Sequence, residues 1–293
     1  MRLLFNMCCV LLIISCSTNV STESIIIKDL HAQASNEGST LRIDTLVVVS
    51  NKAISTFDVV QEELMFLRRF NSDLKETVNL NLQLKELLLE DLNEIEMPNG
   101  TMCASYSPVS KDIVINANTY RAAVLMEAYE MNGDETYRAV AQRNIDFVLS
   151  CQGEKGEWYY EAKPPKNNFI DNFHTCFVLR NLFQCYQVTK DEKILNAVKK
   201  GYQYYRENLF YDNGRPKHFA VAKYAKLRKY EMYDYAEGIK LGVLLKDELP
   251  EAFEKSKELA KDLVSNFQTR KGYFVTRVTS FRTRHTVPYL RWP

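Results

Sequence analysis

The 293-residue chain is poor in glycine, with 10, and in proline, with 8, too few for an architecture of many short strands and tight turns. It has no surplus of charge of either sign, because 38 Lys and Arg stand against 37 Asp and Glu, a net of +1. That balance argues against a nucleic-acid partner and against a basic membrane-binding face. Neither a Cys-x-x-Cys pair nor a Cys/His zinc spacing occurs among the seven cysteines. The sequence also lacks a P-loop, a Rossmann glycine pattern, a Gly-x-Ser-x-Gly elbow and a His-Glu-x-x-His motif. The expectation is therefore no metal and no cofactor.

What the chain does have is aromatic residues, 17 Tyr and 15 Phe, within an apolar fraction of 46%. With so little glycine, that composition favours helices with aromatic packing. Four cysteines, Cys103, Cys151, Cys176 and Cys185, are widely spaced. Cys176 and Cys185 share one predicted helix, roughly 13 Å apart along its axis, too far to bridge. All four read as buried small apolar residues.

Met1–Cys16, MRLLFNMCCVLLIISC, places one Arg before an apolar run too short to span a bilayer. Its end is similar to the lipobox of bacterial lipoproteins, with Cys16 as the lipidated first residue before a polar tether. The expected location on that reading is the cell envelope, with a lipid anchor; the other reading is a cytoplasmic protein with an apolar start. Residues 17–56 form a lead-in with two β-branched runs, Ile25–Ile27 and Leu46–Val49, read as strands or extended chain.

From Phe57 onward the pattern is helical and repeats. Polar breaks at Ser72–Lys75, Gly133–Glu135, Lys190–Glu192 and Lys246–Glu248 punctuate helix pairs. Loops carrying Gly100, Gly156, Gly214 and Gly272 follow, spaced 56, 58 and 58 residues apart, each with an aromatic residue shortly after. Two markers with one period make a repeat of about 57 residues whose unit is a helical hairpin. Asn118–Met131 is apolar nearly all round, whereas the helix from Ile194 and the one from Phe253 are amphipathic. Alternation of that kind implies inner and outer layers. The expected fold is all-α: an α/α toroid of helical hairpins over 57–293, with the glycine loops lining one mouth. Four hairpins are expected where a closed toroid uses about six. The reading is thus an open toroid, one closed by a partner or by oligomerisation, or a truncated reading frame.

The stretch Gly156–Thr175, GEWYYEAKPPKNNFIDNFHT, gathers the candidate chemistry. Pro164 and Pro165 forbid a helix across its middle, and helical apolar spacing begins after His174. Asp171 and His174 stand at i and i+3, either as an acid-polarised imidazole for general acid–base work or as an N-cap and a packed ring. Trp158 and Tyr160 are candidates to stack on a sugar ring, or to plug the channel. Asn116, Asn118 and Asn172 are candidates to bond sugar hydroxyls, with helix capping the competing role for the first two. Arg282 and Arg284 sit in a C-terminal basic cluster suited to clamping a uronate carboxylate, or simply solvated. Glycoside hydrolysis would use Asp171 with Glu231 or Asp234. Epimerisation or elimination would use His174 or Tyr233 as base and Arg282 to hold the enolate.

Ser105-Tyr-Ser-Pro, Ile115-Asn-Ala-Asn, Gly156-Glu-Trp-Tyr-Tyr, Phe169-Ile-Asp-Asn-Phe-His-Thr and Asp212-Asn-Gly-Arg-Pro-Lys follow in order. Together they resemble the bacterial exopolysaccharide- and lipopolysaccharide-biosynthesis proteins with a six-hairpin-glycosidase-like α/α toroid. That fold is distantly similar to the C-terminal domain of glucuronyl C5-epimerases. The resemblance implies a polysaccharide or oligosaccharide partner at the mouth and an epimerase, lyase or hydrolase type of role. A non-catalytic glycan-binding or assembly module, or an inactive fragment, is the alternative. Relatives carry an Asp-x-His pair after the Arg-Pro-Lys loop; here Glu231 and Tyr233 stand at the matching positions.

Overall fold

The computed structural model describes residues 26–34, 41–49, 87–163, 166–222, 229–270, 274–279 and 284–285. The chain divides into two compact units, 1–93 with 105–111, and 94–104 with 112–293. In the first unit, β1 (Ile26–Ala34) and β2 (Leu41–Val49) pair antiparallel, with Ile26 opposite Val49 and Ala34 opposite Leu41. The two β-branched runs are thus strands of one hairpin. A single π-helical turn covers Leu87–Asp91. The expected boundary at residue 57 and the first expected helix pair before Leu87 lie outside the described residues.

The second unit opens with a short hairpin, β3 (Glu94–Glu96) and β4 (Met102–Ala104), and continues as three helix pairs. These are α1 (Ile115–Asn132) with α2 (Glu135–Ser150), α3 (Asn172–Thr189) with α4 (Glu192–Asn208), and α5 (Met232–Leu244) with α6 (Pro250–Phe267). Partners pack against each other, and α1 packs on α3 and α3 on α5, so the first helices of the pairs form an inner layer in chain order. Helix α1 is buried almost all round, whereas α4 and α6 bury one face. Helices α1 and α3 have protein on nearly every side, so apolar residues run almost all round them, whereas α5 leaves Lys240 and Val243 exposed. Two of the polar breaks are caps: Asp134 accepts from the N–H of Thr136 and Asp191 from that of Lys193. The break at Lys246–Glu248 falls short, since α6 starts at Pro250, whose fixed φ suits a first helical position.

The β3–β4 hairpin and the segments after α2 and α4 make the same tight turn. Met97, Gly153 and Tyr211 donate to the carbonyl four residues on, and Gly100, Gly156 and Gly214 donate back to them. These three glycines have φ of 80, 101 and 78°, the left-handed region that excludes a side chain at low cost. The chain then returns to pair with the start of the same hairpin's inner helix: Glu161 with Val114, Phe219 with Asp171 (β5, Ile170–Asp171, and β6, Phe219–Val221), and Arg277 with Glu231 (β7, Lys229–Glu231, and β8, Arg277–Thr279). At each joint the first inner-helix N–H finds a carbonyl, Ile115 on Tyr160, Asn172 on His218 and Met232 on Thr276, at 3.0, 3.0 and 2.9 Å. A further strand, β9 (Arg284–His285), pairs with β8. The glycine loops thus return as short β pairings at the inner-helix starts.

Cys103, Cys176 and Cys185 are buried and Cys151 half-buried, all as free thiols. Burial pushes Cys103 and Cys185 up to about 12, so they are inert at neutral pH. Among the described residues, no helix is long and apolar enough to cross a membrane.

Candidate functional site

The joint equivalences align the inner-helix starts residue by residue. Val114, Asp171 and Glu231 are the N-cap positions of α1, α3 and α5. Of these, Asp171 caps with its side chain, accepting the N–H of His174 at 3.3 Å. The same carboxylate holds the imidazole, with Nδ1 at 2.9 Å from Oδ1 and 2.8 Å from Oδ2. Capping and imidazole orientation are thus one arrangement, and the two roles expected of Asp171 coexist. With Nδ1–H donated to a carboxylate that is only 3% exposed, the free nitrogen of His174 is Nε2. Aromatic rings surround it, Phe173 at 4.1 Å and Tyr160 at 4.7 Å between centroids.

Beside His174 lies a narrow cleft. Trp158, Tyr159 and Tyr160 of the turn line it, together with Asp171 and Val178, and α1 contributes Asn116. Its free volume is about 10 Å³, room for about one water molecule. Asn116 is buried, and its Oδ1 has no hydrogen-bond partner within the protein.

A second acid–imidazole pair stands one repeat further on. His218 Nδ1 lies 2.8 Å from Asp234 Oδ2, and Asp234 is fully buried. His218 occupies the joint position that Tyr160 occupies one repeat earlier, and Asp234 the helix position of His174. Both imidazoles flank Phe173, whose ring centroid is 4.1 Å from His174 and 5.9 Å from His218. Sequence reasoning overlooked His218 altogether and weighed Asp234 only as a hydrolytic carboxylate. The two matches, His218 to Tyr160 and Asp234 to His174, lie at offsets of 58 and 60 residues, so no single shift of the second hairpin onto the third shows both.

Burial raises Asp234 to about 6, opposed by its bond to His218 and helped by the nearby charges of Asp171 and Glu231. In the unfolded chain this carboxyl ionises near 3.8, so between those values the folded state holds the extra proton. Stability is therefore fully present below about pH 4 and is lost as the pH rises towards 6, by on the order of 3 kcal/mol. Asp234→Asn keeps an acceptor for His218 but cannot ionise. Urea unfolding at intervals from pH 4 to 7 is expected to show that fall in wild type and a flatter profile in the variant. Parallel profiles would contradict it.

Several expected ligands of a sugar have other tasks. Trp158 is 3% exposed, its indole N–H donates to Val148 O at 2.9 Å, and its ring presses on Gly201 of α4, where a Cβ would come within 2.4 Å. It is a packed wall and offers no open stacking face. Asn118 is spent on Ala104, Val114 and Asn144, and Asn172 on Leu209, Lys217 and Tyr205, so neither is available to sugar hydroxyls. Glu231 is held by Arg277 at 2.6 Å. Tyr233 stands half-buried at the mouth, its ring 4.9 Å from Phe173 and 6.0 Å from Phe177. Cys16 and Arg282, and the side chain of Arg284, lie outside the described residues. Among the described residues no group of three or more His, Cys, Asp or Glu is placed to hold a metal ion.

Below the mouth, three inner helices are tied by one cation. Arg180 of α3 donates to Glu237 of α5 at 2.6 Å and to the Tyr120 hydroxyl of α1 at 2.9 Å, with its guanidinium 5.3 Å from the Phe177 ring centre.

This arrangement of stacked hairpins is found in solved sugar enzymes. Cellobiose 2-epimerase from Bacillus thermoamylovorans B4167 superposes with a TM-score of 0.63 at 11% identity, over 79% of this chain and 64% of that one. The chain has the α/α-toroid fold. A D-mannose isomerase matches with a TM-score of 0.59 at 13% identity, over 78% and 65% of the two chains. The unsaturated glucuronyl hydrolase of Bacillus sp. GL1 matches at 0.55 and 11%, over 75% and 65%. This chain therefore spans a little under two thirds of the epimerase and the others named. No protein-family model matches the sequence, and no curated protein is similar to it in sequence. The fold is thus one shared with carbohydrate-active epimerases and hydrolases.

Proposed function

We infer that the chain converts sugars by proton transfer, as an epimerase or isomerase, with His174 and His218 as the paired acid and base. The observation that carries this reading is the pair of imidazoles flanking Phe173. Each is held through Nδ1 by a buried carboxylate, so each turns Nε2 to the substrate. Taking a proton from the carbon beside a sugar carbonyl breaks one C–H bond and leaves an enediolate. Returning a proton to the other face of that carbon, or to its neighbour, completes epimerisation or isomerisation with no net change in protons or electrons. One imidazole serves as base and the other, protonated, as acid. Hydrolysis by paired carboxyls is less well served, since Asp171 and Asp234 are buried against imidazoles and Glu231 against Arg277. An epimerase and an isomerase among the similar structures agree with this preference.

A glycan-binding protein without turnover is the second reading, favoured by the structural duty of Asp171 as a helix cap. Incubation with D-mannose, D-glucose, cellobiose and uronate oligosaccharides in deuterated water, followed by NMR, separates the two. Deuterium on the carbon beside the anomeric centre, with a new aldose or ketose, is the expected result. New reducing ends or an unsaturated uronate would replace it with hydrolysis or elimination. Shifted sugar resonances without product would favour the binding protein, and no response to any sugar would overturn the carbohydrate reading.

A further inference from the structure

Both imidazoles of the mouth border one aromatic strip. Between ring centroids, His174 lies 4.7 Å from Tyr160 and 6.1 Å from Phe169, and His218 lies 4.4 Å from Phe219. Tyr160 stacks on Phe169 at 4.7 Å with 15° between their planes, and Phe169 meets Phe219 nearly at right angles at 5.9 Å. The three strip residues come from the chain between α2 and α3 and from the start of β6. All five rings are half-buried, so each keeps part of its surface open at the mouth.

The two sides of the imidazoles differ. On one side Phe173 and Tyr233 lead inward to Phe177, 6% exposed, and past it to the buried Arg180. On the other side the strip leads outward, since Val221, two residues beyond Phe219 on β6, is 38% exposed. The strip also has a polar margin. Asn168, just before Phe169, bonds the backbone of Glu161, just after Tyr160. Glu161 in turn pairs with Lys163, their side chains 21% and 44% exposed. A lipid chain laid there would press those charges against hydrocarbon. A sugar ring suits both surfaces, with its C–H face on the aromatic rings and its hydroxyls at the margin.

Resting on the proposed sugar chemistry, we propose that Tyr160, Phe169 and Phe219 form a subsite for a second sugar residue, so that the substrates are disaccharides or longer chains. The reacting residue lies at the imidazoles, and the next residue of the chain lies face down on the strip, leading out past Val221. Contacts to that second residue hold the first in register with the two Nε2 atoms, which is how binding remote from the chemistry serves the reaction.

Titration calorimetry of the full chain with D-mannose, D-glucose, mannobiose and cellobiose tests this, with wild type beside Phe219→Leu and Tyr233→Leu. Wild type is expected to bind one disaccharide at least about tenfold tighter than its monosaccharide, about 1.4 kcal/mol. Phe219→Leu keeps an apolar side chain and removes the flat ring, so that ratio should fall to about twofold. Tyr233→Leu, on the inward side, should leave the ratio standing. A variant that merely loosens the mouth weakens both sugars together and keeps the ratio, and the wild-type comparison needs no variant. Disaccharide and monosaccharide binding alike in wild type, a ratio that survives Phe219→Leu, or one lost in Tyr233→Leu instead would overturn the subsite while leaving the sugar reading in place. Failure of every sugar to bind wild type would remove the sugar reading itself, and the subsite with it.

Discussion

Replacing His174 with alanine is expected to lower kcat for sugar conversion by about 10²–10⁴-fold, the usual contribution of a positioned acid or base. The helix should survive, because Asp171 caps the backbone N–H of residue 174, which the variant keeps. His218→Ala should fall in the same range, since the proton removed by one imidazole is balanced by the proton given by the other. The double variant should lose little more than either single one, as groups acting as a unit do. Steady-state kinetics beside thermal melts separates chemistry from packing. A variant that melts early but keeps its kcat per folded molecule would make His174 a packing residue.

How much of this was legible in the sequence depends on the range of the interactions. The hairpin period was legible because its markers are local: left-handed glycines at 100, 156 and 214, and acidic caps at Asp134 and Asp191. The Asp171–His174 pair was legible for the same reason, three residues apart on one helix start. His218 was not, because its partner is 16 residues away across a joint and the third hairpin is offset from the second by a different number of residues at loop and helix. Trp158 stayed open between stacking on a sugar and plugging the channel, because an aromatic after a glycine turn looks the same whether it faces the mouth or a neighbouring helix. Gly201 held the answer, since a glycine inside an amphipathic helix costs about 1 kcal/mol and needs a reason. The reason is the flat ring lying on it.

Glu237→Ala is expected to be the most destabilising single substitution in the inner layer. Arg180 and Glu237 have side chains 9% and 2% exposed, and removing the acid leaves a buried guanidinium with only a hydroxyl and an aromatic face. Breaking such a pair from one side costs about 3–5 kcal/mol. For a chain of this size the melting temperature should fall by about 10 °C. Replacing both partners, as Arg180→Met with Glu237→Leu, should recover most of that loss, because neither charge then needs solvation. Calorimetric melts of the three proteins check it. A single variant as stable as wild type would mean that water reaches Arg180 and that the inner layer is looser than described.

The central claim is that both acid–imidazole pairs face one sugar. The chain has four histidines, so ring-labelled histidine gives a spectrum of four imidazoles that single-site variants can assign. In ¹H–¹⁵N spectra of the free protein, His174 and His218 should each carry the proton on Nδ1. Adding D-mannose should shift their Nε2 signals together along one saturation curve, with the Nδ1 signals nearly fixed. Sugar that binds and leaves one or both Nε2 signals unmoved, or an imidazole that carries no proton on Nδ1 in the free protein, would contradict the account.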